Sequence, residues 1–327
     1  NDPQRGLYLL AFIAVIIAAS LTLFILRFSL IKPSGNIKTF SKQSFISINN
    51  IFFGTLIFSV MLGVVYPLIY EYLYDQKISV GAPFYNAIFI PIVILASLFL
   101  FFSVDSKWSR SINFKIFTKP IVLSLIFSLI ITFAIHFVFK TNNVAILLSI
   151  FVGLLVIIRY LIEVSISLIF KKYLNPFSAI AHFALGLLLV SISFNSLLST
   201  ERALNIKINE FEEYKDLTIY FKDIRVRKGS NFDAVKAEFN IKDKNGNSFD
   251  LSPEKRRYFT RGQITTETAI HVSPLKDIYL TIGDQLEDGS WIVNVQINFL
   301  IRWIWFSACL MAFAGIVLVS TNRKSNI

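Results

Sequence analysis

The sequence predicts a polytopic α-helical membrane protein of about seven transmembrane helices, with a small β-rich extracytoplasmic domain before the last helix. Three observations predict it. Hydrophobic residues make up 54% of the 327 residues and charged residues only 16%, against about 25% charge in soluble domains. Seven apolar stretches reach the roughly 20 residues needed to cross a bilayer. Charge is also divided unevenly along the chain. Residues 201–297 hold 15 of the 32 Lys and Arg and 16 of the 21 Asp and Glu, a net of −1. The remainder holds 17 basic and 5 acidic residues, a net of +12. The overall +11 therefore belongs to the apolar part and its short loops. That pattern is an orientation signal rather than a polyanion footprint, and it argues against nucleic acid as a partner. The single cysteine, Cys309, excludes an intrachain disulfide and a multi-thiolate metal site.

The expected spans run 7–28, 47–70, 84–104, 120–139, 144–168, 177–199 and 299–320. The first carries only Arg27, at its end, and the second begins with the amides Asn49 and Asn50. The third and sixth are free of charge for about 20 residues, the length of a span. The fifth contains Arg159 and Glu163. With the N-terminus outside, the inner segments hold Arg27, Lys32, Lys38, Lys42, Lys107, Arg110, Lys115, Lys119, Lys171, Lys172, Arg323 and Lys324. The short outer segments hold Arg5, Lys77 and Lys140. Twelve against three gives N-out and C-in by the positive-inside rule. Residues 1–199 then form a membrane region of six helices, 200–298 an outer domain, and 299–327 the last helix and an inner tail. In a Gram-negative host the outer side is the periplasm. The opening NDPQRG has neither a Met nor a signal-peptide pattern. It leads us to expect a fragment, a processed product or a naturally divided chain.

Within the outer domain, Asp216–Arg225, Asp233–Ile241, Asp277–Ile282 and Ser290–Asn298 read as strands. Asn245–Gly246 and Asp288–Gly289 read as hairpin turns. Glu210, Glu212 and Glu213 read as solvated surface.

There are three histidines. His182 lies inside the sixth span, where a polar side chain is costly and usually functional. It either makes a packing hydrogen bond or serves as an axial ligand to haem iron, for which a neutral imidazole suits. Gly186, four residues on, shares its face and leaves room for a flat macrocycle or a neighbouring helix. His136, near the outer end of the fourth span, reads as packing or an interfacial contact, and His271 as an ordinary domain residue. The two span histidines stand at opposite depths, too far apart to share one iron. Arg159 and Glu163, at i and i+4, can share a salt bridge. They read as structural or headgroup-facing, with a substrate or proton role as the alternative. Arg302 reaches headgroups, a propionate or a partner, and Trp303 and Trp305 read as interfacial anchors. Tyr66, Pro67, Glu71 and Tyr72, with Gly81 and Pro83 in the next loop, form an outer polar and aromatic patch. No nucleophile–base pair, phosphate loop, dinucleotide fingerprint or zinc site is present.

These segments resemble the CcmF family of cytochrome c maturation proteins, part of the bacterial and mitochondrial haem lyase. The matching stretches are NDPQRGLYLL, SKQSFISINNIFFG, GVVYPLIYEYL, KISVGAPFYN, AHFALG, TETAI, KDIYLTIGD and WIWFSACLMAFAG. Their order is that of the family's C-terminal half. The resemblance implies an inner-membrane protein that handles haem b. It implies four partners: the N-terminal half of the family protein, a CxxCH-recognising haem lyase subunit, a haem chaperone and apocytochrome c. Together they would join haem vinyl groups to cysteine thiols in the periplasm, as a haem lyase. On this resemblance His182, in AHFALG, corresponds to the second of two membrane histidines that ligate the b haem. The first has no counterpart here, and neither do the family's tryptophan-rich segment and its two periplasmic histidines. The chain alone is therefore expected to be inactive. Gln43 and Phe299 depart from an acidic residue and a proline usual in the family. The competing readings are a membrane transporter, which would lack a repeated second half, and a non-catalytic scaffold for periplasmic proteins.

Overall fold

Local signals in the chain set where each helix begins. Ser41 has extended backbone, and its hydroxyl accepts the Ser44 amide at 3.3 Å. The Asn143 and Asn175 side chains each accept two first-turn amides, and Pro176 follows Asn175 at the first helical position. These are N-caps that satisfy otherwise orphaned donors. In a computed structural model, which describes residues 3–30, 39–104, 106, 108, 119–171, 175–259 and 262–324, seven long helices result. They are α1 (Pro3–Arg27), α2 (Lys42–Tyr74), α3 (Ala82–Ser103), α4 (Lys119–Phe139), α5 (Val144–Phe170), α6 (Pro176–Leu198) and α7 (Ile301–Lys324). All seven are long and apolar enough to cross a membrane. Of the basic residues behind the orientation, Arg5, Lys32, Lys38, Lys107, Arg110, Lys115, Lys172, Arg323 and Lys324 lie outside the described side chains.

The chain divides into two compact units, residues 1–130 and 131–327. In the first, α2 packs on α3, with Phe99 edge-on to both Phe45 and Phe52. Toward the far end of α2, Tyr66, Tyr70 and Tyr74 stack successively at 6.0 and 4.7 Å.

In the second unit, α6 packs against both α5 and α7. Between α6 and α7 the chain forms two antiparallel sheets. One has the order β1 (Thr200–Ile206), β10 (Trp291–Phe299), β9 (Lys276–Gln285), β8 (Ala269–His271). The other runs β2 (Phe211–Tyr214), β3 (Leu217–Lys228), β4 (Phe232–Asp243), β6 (Glu254–Tyr258), β7 (Ile264–Glu267), with β5 (Ser248–Leu251) also on β4. Alternation sends one face of each sheet into a shared core. Ile206, Leu280, Ile282, Val293 and Val295 meet Ile219, Phe221, Phe239 and Ile241 there. Only Thr268 separates β7 from β8, so the chain changes sheet at that edge and the sandwich curls like a half-barrel. Gly246 and Gly289, at φ of 86° and 83°, turn the β4–β5 and β9–β10 hairpins, a conformation that L side chains resist.

Candidate functional site

His182 lies six residues into α6, about 9 Å along the axis from its first residue at 1.5 Å per residue. Its ring is half-buried and faces the Tyr160 ring of α5, centroids 5.0 Å apart and planes inclined by 32°. Tyr160 is buried at 6% exposure. One turn further along α6, Gly186 meets Gly153 of α5. A Cβ built on Gly186 would stand 2.8 Å from the Gly153 carbonyl oxygen. A Cβ on Gly153 would stand 3.1 Å from the Gly186 carbonyl oxygen. The space beside Gly186 is therefore occupied by α5, and of the two roles its position allows, close helix contact is the one present.

Arg159 is fully buried on α5 and pairs with Glu163 one turn on. The Arg159 charge is met within the protein by Glu163. A buried ion pair is retained only with good geometry, because desolvating both charges is costly.

The other histidines have local tasks. His136 Nδ1 lies 2.7 Å from the Thr141 carbonyl oxygen, tying the end of α4 to the turn before α5. His271 stacks on Phe249 at 3.6 Å, joining β8 of one sheet to β5 of the other. Among the described residues no group of three or more His, Cys, Asp and Glu is placed to hold a metal ion. For haem iron, His182 supplies a donor of the right chemistry: a helix-borne imidazole in an apolar, half-buried setting.

The same helix is fastened to the sandwich. The Asn195 side-chain amide donates to the Phe299 carbonyl at 2.7 Å, and the Phe299 amide donates to the Ser199 hydroxyl at 3.1 Å. At the start of α7, Trp303 Nε1 donates to the Pro274 carbonyl and the Leu300 amide to the Leu275 carbonyl, both at 2.9 Å. Asp277, buried at 5% exposure, accepts the Ser273 amide at 3.1 Å and faces Arg302 Nε at 3.4 Å. Burial, with the Asp277 charge, raises the neighbouring Tyr279 phenol above its ordinary range, and Arg302 partly opposes this. Arg302 and Trp303 thus have intramolecular partners at the span mouth. Asp277 is the residue sequence reading missed. A carboxylate at the start of a strand carries no periodic signal, and Arg302 lies on a helix 25 residues further along the chain.

An open cleft of about 460 Å³ lies at the other end of the sandwich, lined among others by Val226, Asp233, Lys255, Arg257, Ile264 and Trp291. Lys255 pairs with Asp284, and Arg256 with Glu254 and Glu267.

Residues 197–298 match a sequence family described as the CcmF C-terminal beta-sandwich. Over 336 residues the chain is 28% identical to the cytochrome c-type biogenesis protein CcmF of Haemophilus influenzae, covering 99% of this chain and 51% of that protein. It is 27% identical over 332 residues to the CcmF of Escherichia coli K12, covering 99% and 50%. It is 28% identical over 331 residues to the cytochrome c-type biogenesis protein ccl1 of Rhodobacter capsulatus, covering 99% and 50%. The chain spans about half the length of the curated relatives it matches. A solved structure titled Cytochrome c Heme Lyase CcmF superposes with a TM-score of 0.68 at 16% identity, over 86% of this chain and 46% of that one. That likeness is one of fold.

Proposed function

From a similarity of 27–28% to CcmF proteins over almost the whole chain, we propose that this chain belongs to that family and is a haem-binding membrane component of a cytochrome c haem lyase. It corresponds in this proposal to the C-terminal half of the family protein. The reading is supported by the sandwich match and by the place of that sandwich directly before the last span. The observation that carries the cofactor is His182: an imidazole inside an apolar span, on a half-buried face and set against a buried aromatic ring.

In this proposal His182 would hold the iron of a b haem, and a second ligand would come from the N-terminal half of the family protein. When bound, the haem supplies a one-electron redox centre. Tyr160 packs beside the His182 ring and would help to position it. The Gly153–Gly186 contact brings α5 close to α6. No protein nucleophile is needed for thioether formation, because the CxxCH cysteines bring the thiols. The contribution of this chain is orientation and redox state. The partners are a CxxCH-recognising subunit, a haem chaperone and apocytochrome c, engaged on the periplasmic side.

The test is a reduced-minus-oxidised spectrum of the chain purified together with the N-terminal half of the family protein. A six-coordinate b-type spectrum is expected. His182→Ala should remove or greatly weaken it, and His136→Ala should leave it intact. An unchanged spectrum in His182→Ala contradicts the assignment.

The sidedness is inferred from the twelve-to-three distribution of basic residues, which puts 200–298 in the periplasm and the C-terminus in the cytoplasm. Alkaline phosphatase fused after residue 250 is expected to be active, and the same enzyme fused after Ile327 inactive. The reverse pattern refutes the orientation.

A further inference from the structure

The loop between β8 and β9, residues 272–275, has the make-up of a membrane-seated element, although it belongs to the water-facing sandwich. Its apolar side chains point outward: Val272 is 41% and Leu275 63% exposed. Pro274 between them brings no N–H. Three backbone groups of the loop have partners within the protein. The Pro274 carbonyl accepts Trp303 Nε1 and the Leu275 carbonyl accepts the Leu300 amide. The Ser273 amide donates to Asp277, and the Lys276 amide donates to the Ser273 hydroxyl at 3.3 Å. Such partners lower the cost of bringing this backbone to lipid, where an unsatisfied group costs several kcal/mol.

The position of the loop agrees with its chemistry. Its Pro274 and Leu275 carbonyls are bonded to Trp303 and to Leu300 at the start of α7, a helix long and apolar enough to cross a membrane. Trp303, Trp305 and Phe306, exposed by 38, 70 and 52%, surround that turn. Amphipathic aromatic rings of this kind collect at the bilayer interface. Lys276 flanks the loop and can extend its charged end toward phosphates.

We propose that residues 272–275 of the sandwich sit in the lipid interface beside α7, with Val272 and Leu275 inserted at the boundary of headgroups and acyl chains. The occupant of this exposed apolar surface is the bilayer, continuous with the lipid that surrounds α7. The sandwich is then attached to the membrane by two spans and by a third, non-helical foot. That foot fixes its tilt. Trp291 lies eight residues up β10 from Phe299, so the far end of the sandwich stands about 26 Å above this seat at 3.3 Å per residue. The inference stands whether or not haem binds at His182.

The full chain is first given the Cys309→Ser substitution, which leaves it without cysteine. A nitroxide is then attached at Leu275→Cys in vesicles of phosphatidylglycerol and phosphatidylethanolamine, and collisions with oxygen and with a water-soluble nickel chelate are compared. Val226→Cys, on the distal end of the sandwich, serves as the water reference, and Ile316→Cys, on α7, as the lipid reference. The ratio of oxygen to nickel accessibility at 275 is expected to exceed that at 226 several-fold. A ratio equal to that at 226 overturns the proposal. Val272→Cys reads the same surface and replaces the Leu275 variant should that chain fail to fold.

Discussion

His182 and Gly186 share one face of α6 and meet α5 in different ways, the first ring to ring and the second backbone to backbone. Periodicity shows that they share a face, but it cannot name the neighbour. The histidine was legible because an imidazole in an apolar span is costly. The glycine was legible only as a gap, and its filling required α5 to be seen. Gly186→Val should push the two helices apart, since the new Cβ meets backbone rather than a mobile side-chain end. A loss of about 1–3 kcal/mol is expected, read as a lower apparent melting temperature in detergent. An unchanged melting temperature would show that the contact is not tight. Glu254 behaves differently. Burial pushes its carboxyl up, but the Arg256 hydrogen bond and charge, with Arg227, prevail and hold it below its ordinary value. A depressed carboxylate stabilises the fold above the unfolded-state pKa, near 4.5, and this contribution is lost as pH falls through the folded value. Glu254→Gln should therefore be less stable than wild type at pH 7 and lose less on acidification from pH 5 to 3. Parallel melting curves across that range would contradict the sign.

At the scale of elements, the joint between the sandwich and α6 and α7 organises the second unit. β1 and β10 are paired antiparallel from Thr200↔Ile297 onward and continue directly into two packed helices. Asn195, Ser199, Asp277 and Trp303 close the seam. Asp277→Ala strands the Ser273 amide and removes the carboxylate facing Arg302. A local cost of about 1–3 kcal/mol is expected, seen as faster amide exchange at residues 272–276 and in the first turn of α7, with the β3–β4 pair unchanged. Uniform protection across both regions would show that the seam is held elsewhere. All seven spans were readable from apolar length, and β3, β4, β9 and β10 from alternation. β1, β2 and β5–β8 were not. They have three to seven residues each, and segments such as EKRRY and FEEY are charged on faces that only the partner strand makes sense of.

For the whole molecule, composition and charge gave the correct class before any site could be argued. The 54% apolar content resolves into seven long helices and the inner faces of one sandwich. The nearly neutral charge of residues 201–297 agrees with a surface on which several basic side chains pair with acidic ones, such as Lys222–Asp250 and Lys244–Asp216. The haem assignment lies beyond that kind of evidence, because it depends on one donor atom and on chain segments that meet only in the assembled protein. Chemical rescue tests it most directly. The chain carrying His182→Gly is purified with the N-terminal half of the family protein, and its b-type spectrum is recorded with and without added imidazole. The account predicts loss of the six-coordinate spectrum in the variant and its recovery on adding imidazole. A variant that keeps the wild-type spectrum without imidazole would contradict it.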